Sequence, residues 1–312
     1  MDNKDLAKNS VWRYVVLAVK GLCMGAADVV PGVSGGTIAF VTGIYEELVN
    51  SIKSVNVSLF KLLLRGRFTA FWRTLNGNFL LAVLCGILLS VFSLSRLLIY
   101  LLDTYPTPVW SFFMGLVVAS AIYVLKPLKG LGFGSGLMLV VGIAAAIVVC
   151  RLSPTETPEN YWFVFLTGAI AICAMILPGI SGSFVMLLLG KYRFMMDAVA
   201  NLRWDVLFVF AAGAAIGIVS FSHVLSWLLK RYYNQTVCLL AGFMFGSVDK
   251  LWPWKETLPD AIQRNVLPAK FAHLTGQPAQ MANALLFAVL GFAVVFGVEF
   301  LAKRYGNSQK RQ

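Results

Sequence analysis

Apolar runs of about 20 residues recur along almost the whole chain, and they constrain its fold more than any other feature. A helix needs about 20 mostly apolar residues to cross the ~30 Å hydrocarbon core of a bilayer. Hydrophobic residues make up 59% of the 312 residues, against roughly 45–50% in ordinary soluble domains. We therefore predict an all-α polytopic membrane protein. The predicted full-length spans are approximately 79–102, 108–125, 133–150, 204–229, 236–252 and 281–302.

The chain also contains an internal duplication. Residues 29–52 match residues 176–199 without a gap, and the similarity continues downstream at a shorter spacing because the first copy carries a longer loop at about 53–78. A tandem duplication explains both observations. The identical pairs in the first stretch are Pro31 and Pro178, Gly32 and Gly179, Ser34 and Ser181, Gly35 and Gly182, Gly43 and Gly190, and Tyr45 and Tyr192.

In each copy the sequence Pro-Gly-x-Ser-Gly interrupts an apolar region, at about 11–52 and 161–199. Proline and glycine break helical hydrogen bonds, and broken backbone at membrane depth persists only where it lines a cavity or is buried in protein. Each region is therefore predicted to form a broken or re-entrant hairpin. The predicted division is a first repeat at 1–132, a linking helix and outer loop at 133–160, and a second repeat at 161–312.

The distribution of lysine and arginine predicts the orientation. With a cytoplasmic N-terminus, the inner segments hold 16 basic residues and the outer segments eight, which eight acids match. The positive-inside rule then places both termini and the 53–73 loop in the cytoplasm, and 151–160 and 253–278 outside. The helix at 133–150 crosses between the copies, so the repeats are predicted to be inverted. The basic loop, rich in aromatics, is predicted to be an amphipathic helix on the membrane surface.

The two helix breaks are candidate anion sites. A helix N-terminus presents free N–H groups and a positive dipole end, which favour phosphate, while glycine admits a ligand to the backbone. Two such tips entering from opposite faces would meet near the midplane. The alternative is that these glycines only permit close helix packing. The predicted binding residues at the tips are Pro31, Gly32, Ser34, Gly35, Gly36, Thr37, Pro178, Gly179, Ser181, Gly182 and Ser183.

Charged residues within apolar runs are further candidates, because they are costly in a membrane. Arg96 could hold a phosphate with both arms of its guanidinium, and His223, at the corresponding position of the second copy, could carry a proton. Alternatively, Arg96 snorkels or pairs with an acid such as Asp28, and His223 is a core histidine with one hydrogen bond. Asp28, Glu46 and Glu47 flank the first motif only, and with His223 they are the proton-coupling candidates.

Several function classes are disfavoured. The five cysteines lie in apolar runs without metal-ligand spacing, and neither His223 nor His273 has a second ligand at helical spacing, so no metal or cofactor is predicted. The net charge of +12 comes from short loops, which leaflet orientation and anionic lipid explain better than nucleic acid. No Ser-His-Asp set or histidine phosphatase pattern is present, so an enzyme is not predicted. Oligomeric state is not readable from the sequence.

Residues 24–37 and 177–183 resemble the paired signature of the polyprenyl-phosphate transporter family of bacterial membrane proteins. The resemblance spans nearly the whole chain, although Ser183 replaces the matching Gly36. It implies a flippase of the bacterial inner membrane that returns undecaprenyl phosphate, the lipid carrier of cell-wall synthesis, from the outer to the cytoplasmic leaflet. Hydropathy and spacing alone leave two alternatives, which are a carrier or channel for a small anion or other solute and a membrane enzyme that processes lipid phosphate.

Overall fold

The computed structural model describes residues 3–30, 32–130, 132–155, 157–257 and 263–309, with side chains from 11 to 297 except 257 and 263. Within these ranges the chain is almost entirely helical. The helices are α1 (Asn3–Val29), α2 (Gly35–Val41), α3 (Tyr45–Lys53), α4 (Val57–Leu64), α5 (Phe68–Thr74), α6 (Gly77–Thr104), α7 (Pro106–Leu125), α8 (Phe133–Arg151), α9 (Tyr161–Ile176), α10 (Gly182–Leu188), α11 (Tyr192–Ala200), α12 (Trp204–Arg231), α13 (Tyr233–Leu251), α14 (Pro268–Thr275) and α15 (Met281–Gln309). Strands β1 (Lys255–Thr257) and β2 (Gln263–Asn265) form a small antiparallel pair.

The predicted all-α membrane fold is confirmed. In the described part of the chain, α6, α7, α8 and α12 are each long and apolar enough to cross a membrane, and α9 and Met281–Gly297 are shorter apolar helices. The bounds of the long helices enclose the predicted spans to within a few residues. The chain is thus a multi-pass membrane protein.

The duplication is visible in the backbone. Helices α2 and α10 have seven residues each, α3 and α11 nine each, and α6 and α12 28 each. The breaks before α2 and α10 contain Gly32 and Gly179 with φ of 87° and 88°. Glycine adopts this left-handed conformation without the steric cost that a Cβ imposes. The two motif copies therefore encode the same helix break, while the inverted orientation of the repeats stays a prediction.

Each broken region is a hairpin. The start of α2 lies beside Asp28, whose carboxylate accepts a hydrogen bond from the Gly35 amide, and its end lies beside Lys20, whose ammonium donates to the Thr42 carbonyl at 2.7 Å. Helix α2 therefore runs back along α1. Seven helical residues rise only about 10 Å, so α2 is far too short to cross a bilayer. Helix α10 returns along α9 in the same way, and its end is hydrogen-bonded to Thr155 and Thr157, just before α9.

Glycines in the long helices serve close packing, as small residues do in membranes. A Cβ on Gly86 of α6 would lie 2.0 Å from the Ala18 carbonyl oxygen of α1. The corresponding Gly213 of α12 would meet the Phe165 oxygen of α9 at the same distance. Each hairpin is thus packed backbone to backbone against the long helix of its own copy.

The connection between α3 and α6 forms two short helices, whereas one amphipathic helix was predicted. Helix α4 ends at Leu64, and Gly66 has a φ of 67° before α5 begins at Phe68. This left-handed glycine turns the chain between the two helices. The membrane-surface position of the loop stays a prediction.

The chain divides into two compact units, each made of two separate stretches of the sequence. The first unit comprises Met1–Leu98 and Pro154–Thr236, and the second comprises Ile99–Ser153 and Val237–Gln312. In the second unit, α7 packs closely on α15 through Gly115 and Gly291. The first unit contains both hairpins, and therefore all of the predicted tip residues that the structure describes. The predicted division into two repeats joined by a linking helix and outer loop stays a prediction.

Candidate functional site

The amides of the first tip are occupied by the protein's own groups. Ser34 caps α2, and its hydroxyl accepts from the Gly36 amide at 3.0 Å, while the Asp28 carboxylate accepts from the Gly35 amide at 2.7 Å. The Thr37 amide donates to the Ser34 carbonyl at 2.9 Å. A carboxylate at a helix N-terminus is favourable because it meets the positive end of the dipole. The first tip thus carries its own anion.

The two tips are in direct contact. The Ser34 hydroxyl donates to the Met175 carbonyl at 2.9 Å, and the Gly179 amide donates to the Thr37 hydroxyl at 3.1 Å. The Tyr45 hydroxyl donates to the Ile176 carbonyl at 3.2 Å. These three side chains are at most 2% exposed. The broken backbone of the second copy is therefore satisfied by side chains of the first, as burial of such groups requires.

The second tip is capped differently. Ser181 occupies the N-cap position of α10, but its side chain makes no cap hydrogen bond; its hydroxyl lies 2.7 Å from that of Ser183. Met175 stands where the first copy has Asp28. The hydroxyls of the second tip are thus paired with each other, while that of Ser34 joins the two copies.

Glycines at both tips have a packing role. A Cβ on Gly36 would lie 2.5 Å from the Ile176 carbonyl oxygen, and one on Gly182 would lie 2.7 Å from the Ala171 oxygen. A Cβ on Gly35 would meet the Asp28 carboxylate at 2.6 Å. The packing explanation considered from the sequence therefore accounts for these three glycines whether or not a ligand also approaches them.

A cavity of about 260 Å³ adjoins the second tip. Its polar lining consists of Asp28 from the first copy and Ser181 and Ser183 from the second, and no lysine or arginine belongs to its described lining. A carboxylate and two hydroxyls suit a proton or a cation. An anion would bind here only with the carboxyl protonated or its charge balanced, because like charges at short range repel. The remaining lining residues are Gly168, Ala171, Ile172, Met175, Gly182, Met186, Phe210 and Ala214.

Sequence reasoning missed the apolar walls of this cavity. Gly168 and Ala171 are small residues one helical turn apart on α9, a pattern that allows close approach of a neighbouring helix. That signal was available. Phe210 and Ala214 carry no comparable signal, because they are ordinary members of a long apolar helix.

Arg96 does not line the cavity. Its side chain is exposed on α6, and the hydroxyls of Ser93 and Ser95 donate to carbonyls of their own helix. In the described part of the chain no ion pair joins Arg96 to Asp28, so the proposed pairing is absent. The phosphate role of Arg96 stays a prediction.

Among the proton-coupling candidates, only Asp28 lines the cavity. His223 is half-buried on α12, with Nδ1 at 2.8 Å from the Val219 carbonyl oxygen, which matches the core-histidine alternative. Glu47 accepts from Asn76 at 2.9 Å and pairs with Arg13 at 3.5 Å, and Glu46 is exposed in the first turn of α3.

The remaining predicted tip residues are placed as follows. Gly32, Pro178 and Gly179 are buried in the helix breaks. Pro31 lies outside the described residues.

Comparison with known proteins bears on this site. A family described as undecaprenyl phosphate translocase-like matches residues 24–266. A protein of Vibrio cholerae serotype O1 named polyprenyl-phosphate transporter is 44% identical over 301 residues, which cover 93% of this chain and 98% of the relative. One of the same name from Staphylococcus aureus is 32% identical over 258 residues, covering 77% and 86%. No solved structure matches the chain.

The stretch matched by the family contains both helix breaks and the cavity between α9, α10 and α12, although α1 begins before it. The names of the family and of the two relatives describe transporters rather than enzymes, in agreement with the sequence prediction. The resemblance drawn from the paired motifs is confirmed: the chain belongs to the undecaprenyl phosphate translocase-like family.

Proposed function

We propose that this protein is a flippase that returns undecaprenyl phosphate from the outer to the cytoplasmic leaflet of a bacterial inner membrane, with both termini in the cytoplasm. The family match and the two transporter relatives support the class of substrate. The observation that carries the proposal is the contact of the two hairpin tips beside a cavity with three polar side chains. Broken helices that meet at a binding site are the usual construction of secondary transporters.

The phosphate group is proposed to bind next to the second tip. Ser34 and Thr37 hold the tips together, so they have less capacity for a ligand than the sequence suggested. In the part of the chain that the structure describes, the hydroxyls of Ser181 and Ser183 are paired only with each other, and hydroxyls readily rotate to donate to a phosphate oxygen. The lipid tail is proposed to leave along the apolar side of the cavity into the bilayer.

Asp28 is proposed to bind a proton together with the lipid phosphate. Its carboxylate shares the cavity with the proposed phosphate site, and no other ionisable side chain belongs to the described lining. Without a proton, the carboxylate would repel the phosphate across a small space with a mostly apolar lining. Entry of phosphate and proton together removes this repulsion.

The test uses purified protein in liposomes that contain undecaprenyl phosphate in one leaflet, with headgroup accessibility as the readout. We expect wild-type protein to translocate the lipid without releasing phosphate, and a proton gradient to drive it. Asp28→Asn should remain folded, because its amide oxygen still accepts from the Gly35 amide. Its transport rate should fall at least about tenfold, which corresponds to a rise of about 1.4 kcal/mol in activation free energy. Asp197→Asn, on an exposed carboxylate of α11, is the matched control and should transport normally.

Different results identify the alternatives. Release of inorganic phosphate would indicate an enzyme, and flux of a small anion without lipid movement would indicate a solute carrier. Normal, proton-driven transport by Asp28→Asn would remove the proposed proton role while leaving lipid transport intact.

A further inference from the structure

The two short helices between α3 and α6, α4 and α5, together form what we call the α4–α5 platform. In the second copy, residues 201–203 alone join α11 to α12. The platform therefore has no counterpart in the second copy, and none of its residues belongs to the described lining of the cavity.

The platform is fixed to the first hairpin and to α6. The Asn76 amide group donates to Glu47 at 2.9 Å and to Ser51 at 3.2 Å, both on α3. The Trp72 ring covers Gly77, where a Cβ would lie 2.4 Å from the indole. Leu59 of α4 is only 3% exposed. Because it is held at its α6 end through Asn76 and Trp72, and in α4 through buried Leu59, the platform presents a defined surface.

The outer side of the platform exposes several large apolar side chains, which is unfavourable in water. On α4, Val57, Phe60 and Leu64 are 71%, 55% and 87% exposed, and their spacing places them along one helix face. On α5, Phe68 and Trp72 are 66% and 41% exposed. Contiguous exposed apolar side chains of this size mark an interaction surface.

Four cations are interspersed with these apolar residues. Lys61, Arg65, Arg67 and Arg73 are exposed, and in the described part of the chain none of their side chains takes part in a hydrogen bond or an ion pair. The sequence from 53 to 78 contains no aspartate or glutamate. By contrast, Arg151 elsewhere in the chain pairs with Asp249 at 2.9 Å. The platform therefore lacks its own counter-charge.

We propose that the α4–α5 platform is a binding surface for anionic phospholipids. Its apolar side chains enter the boundary between headgroups and acyl chains, and its four unpaired cations bind phosphate-bearing headgroups around them. An amphipathic helix with a basic polar face is the element that binds a membrane surface in this way. Bulk anionic phospholipid is the occupant, because several separate cations spread over two helices suit many headgroups rather than one ligand.

This surface is separate from the cavity and does not depend on the proposed flippase function. Its attachment through Asn76 connects the lipid headgroup region to α3, the last arm of the first hairpin. Binding to the leaflet would thus set the position of that hairpin with respect to the membrane surface.

The test is quenching of Trp72 fluorescence by brominated lipids in liposomes that contain full-length protein. The Trp72 signal is the difference between wild-type protein and Trp72→Phe. At equal mole fraction, brominated phosphatidylglycerol should quench Trp72 at least about twofold more than brominated phosphatidylcholine, and salt should reduce the difference. In the variant K61Q/R65Q/R67Q/R73Q the two lipids should quench equally.

Two controls keep the test decisive. Lys230→Gln with Arg231→Gln removes two exposed cations at the end of α12 and should leave the preference for anionic lipid unchanged. The quadruple variant should unfold at the wild-type temperature, because its four side chains have no protein partner.

Equal quenching by both lipids in wild-type protein would overturn the anionic preference, and absence of quenching by either would overturn membrane contact. Neither result involves undecaprenyl phosphate, so the flippase proposal is tested separately.

Discussion

The two hairpins share a backbone but differ in how their polar groups are satisfied. Both break at a left-handed glycine, begin the short arm with a serine, and end it at a second left-handed glycine. The first tip is closed by Asp28 and Ser34. The second tip has Met175 in place of Asp28, pairs its serines with each other, and adjoins the cavity.

The short arms also end differently. Lys20 caps the end of α2 from within the same hairpin. The end of α10 is instead held by the preceding loop, where the Thr157 hydroxyl donates to the Leu189 carbonyl at 2.6 Å. The duplication has thus retained the helix break, which glycine and proline determine locally, and has lost the symmetry of the side chains around it. One copy supplies the acid and the other the hydroxyls.

The largest expected effect tests whether the two hairpins enter the membrane from opposite faces, which is an all-or-none property. Cysteines introduced at Lys61 and Thr155, in a background without the native cysteines, should react with a membrane-impermeant reagent from opposite sides of the bilayer. Labelling of both from one side would contradict the inverted arrangement. The two hairpins would then have to be compared as parallel copies.

Valine at Gly36 or Gly182 should destabilise the protein strongly, because each Cβ would collide with a backbone carbonyl oxygen. We expect a loss of about 3 kcal/mol or more in either case. The measurement is the thermal unfolding of the protein in detergent. Gly136→Ala, whose Cβ would meet nothing within 4 Å, is the control and should unfold near the wild-type temperature. Tolerance of valine at only one tip would show that the two tips are not equally tight.

Alanine at Ser34 should cost more stability than alanine at Ser181, although the sequence motif treats the two alike. Ser34 is fully buried and makes two hydrogen bonds, one to each copy. Its loss should cost about 1–3 kcal/mol, while loss of the Ser181 hydroxyl should cost less than about 1 kcal/mol. Ser181→Ala should instead weaken binding of a short-chain polyprenyl phosphate. Equal stability losses would contradict the assigned difference between the tips.

The smallest effect is expected at the far ends of the short arms. Lys20→Met and Thr157→Val each remove one hydrogen bond to a carbonyl at such an end, at α2 and α10 respectively. Each should cost about 0.5–1.5 kcal/mol. Hydrogen exchange should show faster opening of α2 in the first variant and of α10 in the second. Loss of protection in both hairpins from either variant would mean that the ends are coupled.

Much of the fold follows from local rules. Apolar length predicts the long helices, and proline with glycine predicts the breaks, because both effects act within a few residues. Even the turn between α4 and α5 was readable at Gly66, whose left-handed φ ends α4. The candidate site was less predictable. Sequence symmetry suggested two equal anion-binding tips, whereas Ser34 bonds to Met175, 141 residues away.

Such pairings depend on how distant segments pack, and no spacing along the chain reports them. The same limit explains Arg96. Its charge within an apolar helix marked it as a candidate, but the direction of its side chain is set by the packing of α6. Lys20 is the opposite case, because the structure gives it a role as a helix cap that the sequence did not predict. Asp28 was a candidate in the sequence because it is a charge next to a motif, and the structure places it on the cavity wall.

The hydrogen bonds from Ser34, Thr37 and Tyr45 have a mechanical consequence. Together they tie the first hairpin to the second among buried side chains, where each broken bond would leave a buried backbone group unsatisfied. A transport cycle that slid one repeat past the other would have to break all three at once. We therefore expect the two tips to move together, and spin labels at Thr42 and Leu189 should keep one distance throughout turnover.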